Sequence, residues 1–480
     1  MPFAEAMTPV RMRRVAVIVP QATLRDALVR IAGAGCVELD RAEEAPPGAA
    51  AVRLRRLRGG ATTAGPESAT TAVLAATAPD LDLLEERRSL ALLAGEAQLE
   101  ERADGAVLQG EVAALAGWCP ATEVARVAGR LAAAGGALLP LPLPHGTDPP
   151  TLLRPGRPVS FAPLVTTYGT PAYRDLDPSW PAGVAYVAMF GIMFGDVGHG
   201  ALLVLGALAL RLRRPHRFAR LSHLWPFLAG AGIASMIAGA AYGEFFGPTG
   251  LLPVLWLSPL ADPARLLAAS VILGAALLSV AHAAGAVNRV REHGWGAALF
   301  AASGCAGLLF YLGLALAAAG LLLHRPPAVV IGACAALVGL ALVALGLFRA
   351  TAGGGAGCAE TAVRLFDVVV RTGTNSLSFA RLAAFGLTHA ALAGLVWRGT
   401  TGLAGRGAAG VVGAGLLFTV GTAVSFCLEA LVAGVQALRL EFYELFSRIF
   451  ETEGHPFRPW HVLPAESADR ATKVIPCSPG

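Results

Sequence analysis

Lysine is all but missing from this chain. Of 38 basic residues only Lys473 is a lysine; the rest are arginines. A phosphate-cradling P-loop needs Gly-Lys-Ser/Thr, so none can exist here. Also absent are the HExxH spacing of a zinc helix and the GxSxG turn of a serine hydrolase. Seven scattered cysteines (Cys36, Cys119, Cys305, Cys334, Cys358, Cys427, Cys477) make no CxxC pair, which signals neither a zinc site nor a disulfide framework. No cofactor, no metal and no nucleotide are expected, and if ATP energy is used another chain must bind the ATP. Charge is scarce too. Asp, Glu, Lys and Arg make up 15% of the chain, where a soluble domain carries about 25%.

Apolar residues fill the gap, at 55% of the chain, and they are unevenly spread. From about residue 182 onward, runs of ~20 apolar residues recur, each long enough to cross ~30 Å of hydrocarbon. Before that point charges are frequent and prolines cluster. The expectation is a cytoplasmic α/β domain over residues 1–160, a linker over 161–181, an α-helical polytopic membrane domain over 182–460 and a cytoplasmic tail over 461–480. The opening apolar stretch spans only about seven residues, too short for a signal peptide. The soluble part is therefore read as cytoplasmic.

Within the first domain, Val15–Val19 reads as a strand, Leu24–Ala34 as an amphipathic helix and Cys36–Leu39 as a second strand, a βαβ-like start. Leu81–Arg102 is charged and Leu-spaced, the pattern of a short coiled-coil arm. Residues 111–136 read as a strand, a Trp-Cys-Pro turn and an amphipathic helix. Pro140–Pro158 reads as a linker or an irregular bridge.

In the second domain, long spans are expected near 223–246, 264–291, 295–323, 328–348, 374–398 and 403–450. Arg211–Arg220 carries five arginines and should be cytoplasmic by the positive-inside rule. With both flanks on one side, residues 182–212 must enter and return. They read as a helical hairpin turning at Gly195–Gly200, within MFGIMFGDVGHG. Each arm is ~22 Å long, so the turn sits inside the membrane, where irregular backbone needs protein or a watery cavity beside it. Counting the hairpin as two, there are about eight membrane segments, with both termini cytoplasmic. The loop bearing Arg398 and Arg406 falls outside, against the rule. The last segment, 403–450, would be ~70 Å as one helix and must tilt, protrude or break.

Two arginines, Arg381 and Arg439, lie within spans. Placing such a charge mid-membrane costs ~2.5–3.5 kcal/mol on the insertion scale, so each should face a partner or water, or else snorkel to the interface. If their helices are antiparallel neighbours with the arginines at one depth, His389 lies ~12 Å and Glu429 ~15 Å further outward, at about the same level. Asp196 at the hairpin turn can approach that level. Inward lie Asp367, Glu441 and Glu444. A central arginine between acidic groups on either side blocks a continuous proton wire. The plainer readings stand beside this one. His389 alone is a common helix–helix hydrogen-bond partner, Asp196 fits a helix cap, Glu244 lies near a span end, and Glu441 and Glu444 fit a solvated helix face. His199, beside the turn, is a further candidate.

At these residues the chain resembles subunit a, also called subunit I, of the vacuolar/archaeal-type rotary ATPases, the 116 kDa subunit family. The stretches that carry the resemblance are FAPLVTTYGTPAYRDLDPSW (161–180), MFGIMFGDVGHG, YGEFFG, NSLSFARLAAFGLTHA and the run from Leu428 to Trp460. They occur in family order across most of 160–460. The resemblance implies a stator subunit whose Arg381 faces a proteolipid (c/K) ring, with Arg439 as a second arginine. His389, Glu429, Asp367 and Asp196 would line two half-channels for protons or sodium. It further implies that the last two helices are long and tilted, and that peripheral-stalk subunits and a central-stalk-linked membrane-sector subunit are partners. Neither nucleic acid nor ATP would be bound. The chain would be multi-pass, in the cell membrane if its source is prokaryotic, and a non-catalytic part of an ion-transporting enzyme. Three features depart from the family pattern: a short soluble arm, Asp367 in place of Glu, and an added Arg371. The alternatives are a secondary transporter, for which no internal repeat is found, and a structural membrane scaffold.

Overall fold

A computed structural model describes residues 8–40, 46–59, 72–143, 147–153, 161–213, 224–351, 353–450 and 454–464. Most of the arginine-rich Arg211–Arg220 segment, parts of the Pro140–Pro158 bridge and the tail beyond 464 lie outside the described residues. The chain divides into two compact units. One takes in Thr8–Arg157, Thr170–Tyr173 and Gly454–Gly480; the other takes in Pro158–Gly169 and Arg174–Glu453, with the first seven residues.

The first unit is built on an antiparallel sheet. β1 (Met12–Pro20) alternates buried and outward residues, with Val15, Val17 and Val19 inside, the period of a half-buried strand. α1 (Leu24–Ala34) covers it with Ala27, Leu28, Ile31 and Ala32, a helical stripe. β2 (Glu38–Leu39) follows, then α2 (Ala49–Leu57) and β3 (Val73–Leu74). Next come α3 (Leu81–Glu86), α4 (Leu90–Asp104), β4 (Val107–Gln109), β5 (Val112–Pro120), α5 (Val124–Ala132) and β6 (Ala137–Pro140). The sheet order is β2-β5-β1-β6, with β4 also on β5. Thus β1 and β2 do not pair, since β5 lies between them, antiparallel to both.

The expected arm over 81–102 is not one helix. It breaks at Arg87–Ser89, and α4 supplies Leu93 and Ala94 to a cluster with Leu54 of α2 and Leu84 of α3. Arg25 reaches from α1 to the nearly buried Glu96 of α4 through two nitrogens at 2.7 and 2.6 Å, a bidentate geometry. The Leu spacing thus serves a small core instead of a projecting coil. Trp118, Cys119 and Pro120 end strand β5 and do not form the expected turn. The cysteine scatter gave no sign of a disulfide, yet Cys36 is disulfide-bonded.

The far end of the chain returns to this unit. Trp460 N–H donates to the Val37 carbonyl (2.9 Å), and its indole donates to Gln98 (3.1 Å). β7 (Leu463–Pro464) pairs parallel with β3. Trp460 and Val462 are buried in the same core as β1 and α1.

The second unit is helical. After a short α6 (Ala162–Tyr168) come α7 (Ser179–Met193), α8 (Val197–Arg213), α9 (Trp225–Tyr242) and α10 (Pro263–Phe300). They are followed by α11 (Cys305–Leu322), α12 (Pro326–Arg349), α13 (Gly354–Ser378), α14 (Ala380–Ala404) and α15 (Gly407–Leu440). A π-helical turn (Glu441–Phe446) and α16 (Ser447–Ile449) close the run. Six stretches among the described residues are long and apolar enough to cross a membrane: 225–242, 263–292, 294–322, 326–349, 354–404 and 407–449. α7 and most of α8 are shorter apolar helices.

Two boundaries differ from expectation. The helix expected to start at 374 begins twenty residues earlier, at Gly354. The added stretch carries the ion pairs Glu360–Arg364 (2.6 Å) and Asp367–Arg371 (2.9 Å), charges that interrupt an apolar run, and Thr372, Thr374, Ser376 and Ser378 each bond a carbonyl one turn back, at 2.7–3.0 Å. The hairpin turn is also tighter than read. Phe194–Asp196 alone separates α7 from α8, and Gly198, His199 and Gly200 already belong to the second helix.

Candidate functional site

Asp196 anchors the site. Its Oδ1 accepts the backbone N–H of His199 (2.8 Å), capping α8, and that of Phe246 (3.0 Å); its Oδ2 accepts that of Gly247 (2.7 Å). The carboxylate is fully buried, and these three donors stand in for the water it lost. Capping is therefore real, and it accounts for only one of the three bonds. The other two tie the hairpin turn to the loop after α9.

Two glycines make this approach possible. A Cβ on Gly239 of α9 would stand 2.5 Å from the Val197 nitrogen and 2.6 Å from Asp196 Cα. Gly247 has φ +94°, a backbone state that favours glycine, and it aims its N–H at Asp196.

The helices α14 and α15 pack as neighbours and bring in the rest. His389 of α14 hydrogen-bonds through Nδ1 to Glu429 Oε2 of α15. Glu429 Oε1 accepts the Ser425 hydroxyl at 2.7 Å. One ligand-type atom from each of Asp196, His199 and His389 lies within 4.8 Å of the others. Glu244 is buried beside them and interacts electrostatically with His389, Asp196 and Glu429. Three carboxylates and two imidazoles thus share one pocket. Aromatic rings wall it: Phe194 lies 4.9 Å from His389 and 5.6 Å from His199, while Phe246 and Phe426 lie 5.3 and 5.6 Å from His199. Such a low-dielectric setting strengthens each charge–charge contact.

Further along α14 and α15 a second group forms. Glu444, in the π-turn, interacts with both Arg381 and Arg439. Since His389 and Glu429 touch, Arg381 and Arg439 lie ~12 and ~15 Å from that contact, on the same side. Arg381 is half-buried, and its Nη1 has no hydrogen-bond partner among the described residues. Arg439 is exposed. It continues a stripe of exposed apolar side chains along α15 at Val420, Val424, Leu428, Leu431 and Val435. Glu441 is wholly buried with both oxygens unpartnered among the described residues, far from a solvated face.

Asp367 is not part of either group. It sits exposed on α13, paired with Arg371 at 2.9 Å, one turn on. Arg448, which the sequence reading did not single out, interacts with both. Ser425 and the Phe246 and Gly247 amides were missed as well. No signal for them existed: a serine one turn from Glu429 is unremarkable, and backbone donors carry no residue identity.

Residues 107–247 match the family described as the V-type ATPase 116kDa subunit family. The chain is 30% identical over 277 residues to the A-type ATP synthase subunit I of Halobacterium salinarum, covering 52% of this chain and 36% of that one. It is 27% identical over 365 residues to the Aeropyrum pernix A-type ATP synthase subunit I, 66% of this chain and 51% of that one. A human V-type proton ATPase 116 kDa subunit a 3 is 35% identical over 125 residues, 24% of this chain and 15% of that one. The chain spans about half or less of the length of these curated relatives.

Proposed function

With homologues that are subunit I or subunit a of A-type and V-type ATPases, and a match to the V-type ATPase 116kDa subunit family, we propose that this chain is the ion-translocating stator subunit of such an enzyme. It holds two ion paths that do not join. The outer path ends in the cluster of Asp196, His199, Glu244, His389 and Glu429. The inner path starts near Asp367 and runs past Glu444 and Glu441. Arg381 and Arg439 stand between them and face a ring of carboxylate-bearing rotor subunits. An ion carrier leaving one path meets a guanidinium, which favours its ionised form at short range. It therefore cannot carry its proton past the arginine and must turn the long way round. With the hairpin α7–α8 counted as two, eight segments cross the membrane, and both termini face the cytoplasm. Peripheral-stalk subunits and a central-stalk-linked membrane subunit complete the stator and rotor contacts.

One observation carries this reading: the order of groups along the paired helices α14 and α15. A buried His–carboxylate cluster comes first, two arginines follow about 12–15 Å away with Glu444 beside them, and Asp367, paired with Arg371, stands apart on α13. The apolar stripe on α15 that continues into Arg439 supports a rotor partner on that face. The π-turn at Glu441–Phe446 fits as well, since such turns are frequent at functional sites. The test is an Arg381→Gln complex. ATP-driven ion flux should vanish while the complex still assembles. A scaffold role would instead cost assembly, and a secondary transporter would move its substrate without any ring.

A further inference from the structure

The geometry points to a binding site for a divalent transition metal of the zinc class at Asp196, His199 and His389. It deepens the proposed outer path, because the same cluster would hold the metal. Four observations support it.

The donor set is the first. Two imidazoles and a carboxylate, with one donor atom each inside 4.8 Å of the others, match the three protein ligands of open zinc sites. Around a tetrahedral zinc with bonds of ~2.0–2.1 Å, donors stand about 3.3 Å apart. The donors need to close by up to about 1.5 Å to share one ion.

The lone pairs are the second. His199 is 2% exposed, and both its ring nitrogens lack a hydrogen-bond partner among the described residues, with Nδ1 lying 3.7 Å from Asp196 Oδ1. His389 is equally buried, and its Nε2 also lacks one. Unpaired buried polar atoms cost stability, so two imidazoles in this state have a use for a ligand.

The third is the carboxylate behind His389. Where the Glu429 carboxylate accepts from Nδ1–H, the His389 tautomer leaves Nε2 as a lone-pair donor. This carboxylate–histidine arrangement orients metal-binding imidazoles and raises their basicity. Ser425 in turn fixes Glu429.

Charge is the fourth. Asp196, Glu244 and Glu429 share a pocket with no Lys or Arg side chain in contact among the described residues, so a divalent cation would offset an excess of negative charge. Asp196 spends three acceptor positions on backbone N–H groups, and a carboxylate has about four, so one remains for the metal. Imidazole-rich sites favour zinc and its neighbours over calcium or magnesium, which prefer all-oxygen shells.

The spacing rules that exclude a zinc helix could not find this site. Asp196 and His199 are an i, i+3 pair on a helix start, and His389 comes from a helix nearly two hundred residues later.

The test uses the full chain within its assembled complex, with Co2+ as spectroscopic probe and Zn2+ as competitor. One equivalent of cobalt should bind with the ligand-field spectrum of nitrogen and oxygen donors, and zinc should displace it. His199→Ala and His389→Gln should each weaken binding at least tenfold, and Glu429→Gln by about 10–100-fold. His199→Asn, which keeps polarity and bulk, should lose binding while its thermal unfolding stays near that of the parent. No bound cobalt, a thiolate spectrum, or binding unchanged in His199→Asn overturns the proposal. Ion flux separates the two readings. Cobalt binding with flux insensitive to zinc would keep the metal site and contradict the outer path. Absence of binding would remove the metal site and leave the outer path standing.

Discussion

His389 and Glu429, forty residues apart in sequence, join the two last long helices through a buried imidazole–carboxylate hydrogen bond. This contact ties α14 to α15 and sets the distance from the outer cluster to the arginines. Removing either partner leaves the other without this bond inside a buried, ring-walled cluster. His389→Ala and Glu429→Ala should each abolish most ion flux. Their effects on stability should not add: a double-mutant cycle by thermal unfolding should return a coupling of about 1–3 kcal/mol. A coupling near zero would show that the pair is incidental.

Asp196 is held by three backbone donors, so its replacement should separate structure from charge. Asp196→Ala orphans three N–H groups, two of them buried, at about 1–3 kcal/mol for each buried one and should prevent stable folding. Asp196→Asn keeps one carbonyl acceptor and should fold, with a lower unfolding temperature and reduced ion flux. Wild-type flux in the folded Asn variant would confine Asp196 to capping.

Gly239 sits where its helix touches the hairpin turn. Gly239→Ala puts a methyl 2.5 Å from a backbone nitrogen. Overpacking of this kind costs ~1–3 kcal/mol, and because the strain falls on Asp196, flux should drop with stability. Gly206, with nothing within reach of an added Cβ, should accept the same change silently.

In the sheet-bearing unit, burial raises the Glu38 carboxyl above its ordinary value, against a lowering hydrogen bond from the Arg458 N–H. The folded state thus binds this proton more tightly than the unfolded one. The resulting stability is full below the ordinary carboxyl range and is lost as pH rises through the raised folded value. Glu38→Gln should remove that slope, as read by unfolding midpoints across pH 4–7. Nearby, burial pushes the Cys119 thiol up to about 12, so it should resist alkylation at pH 8 until the unit unfolds.

The sequence revealed most where a single period or a single charge decides the outcome. Apolar runs located the long apolar helices to within a few residues, except at helix α13, whose first twenty residues carry the charged pairs Glu360–Arg364 and Asp367–Arg371. The 1.5 Å rise per residue, with Arg381 and Arg439 set at one depth on antiparallel neighbours, placed His389 near the level of Glu429. It could not show the tightness of the Phe194–Asp196 turn, which depends on a contact-making glycine on another helix. Nor could it show α4 folding into a core in place of an arm, since Leu spacing is the same in both. Asp367, grouped with the inner acids by helix counting, pairs with Arg371 on an exposed face because the count gives depth along a helix and says nothing about its rotation.

The central claim is that Arg381 separates two ion paths. Proton flux through the reconstituted complex, measured alongside ATP hydrolysis, tests it most directly. Arg381→Gln should leave an assembled complex that no longer builds a gradient and that leaks protons passively once the barrier between the paths is neutral. Normal ATP-driven pumping by that variant would contradict it.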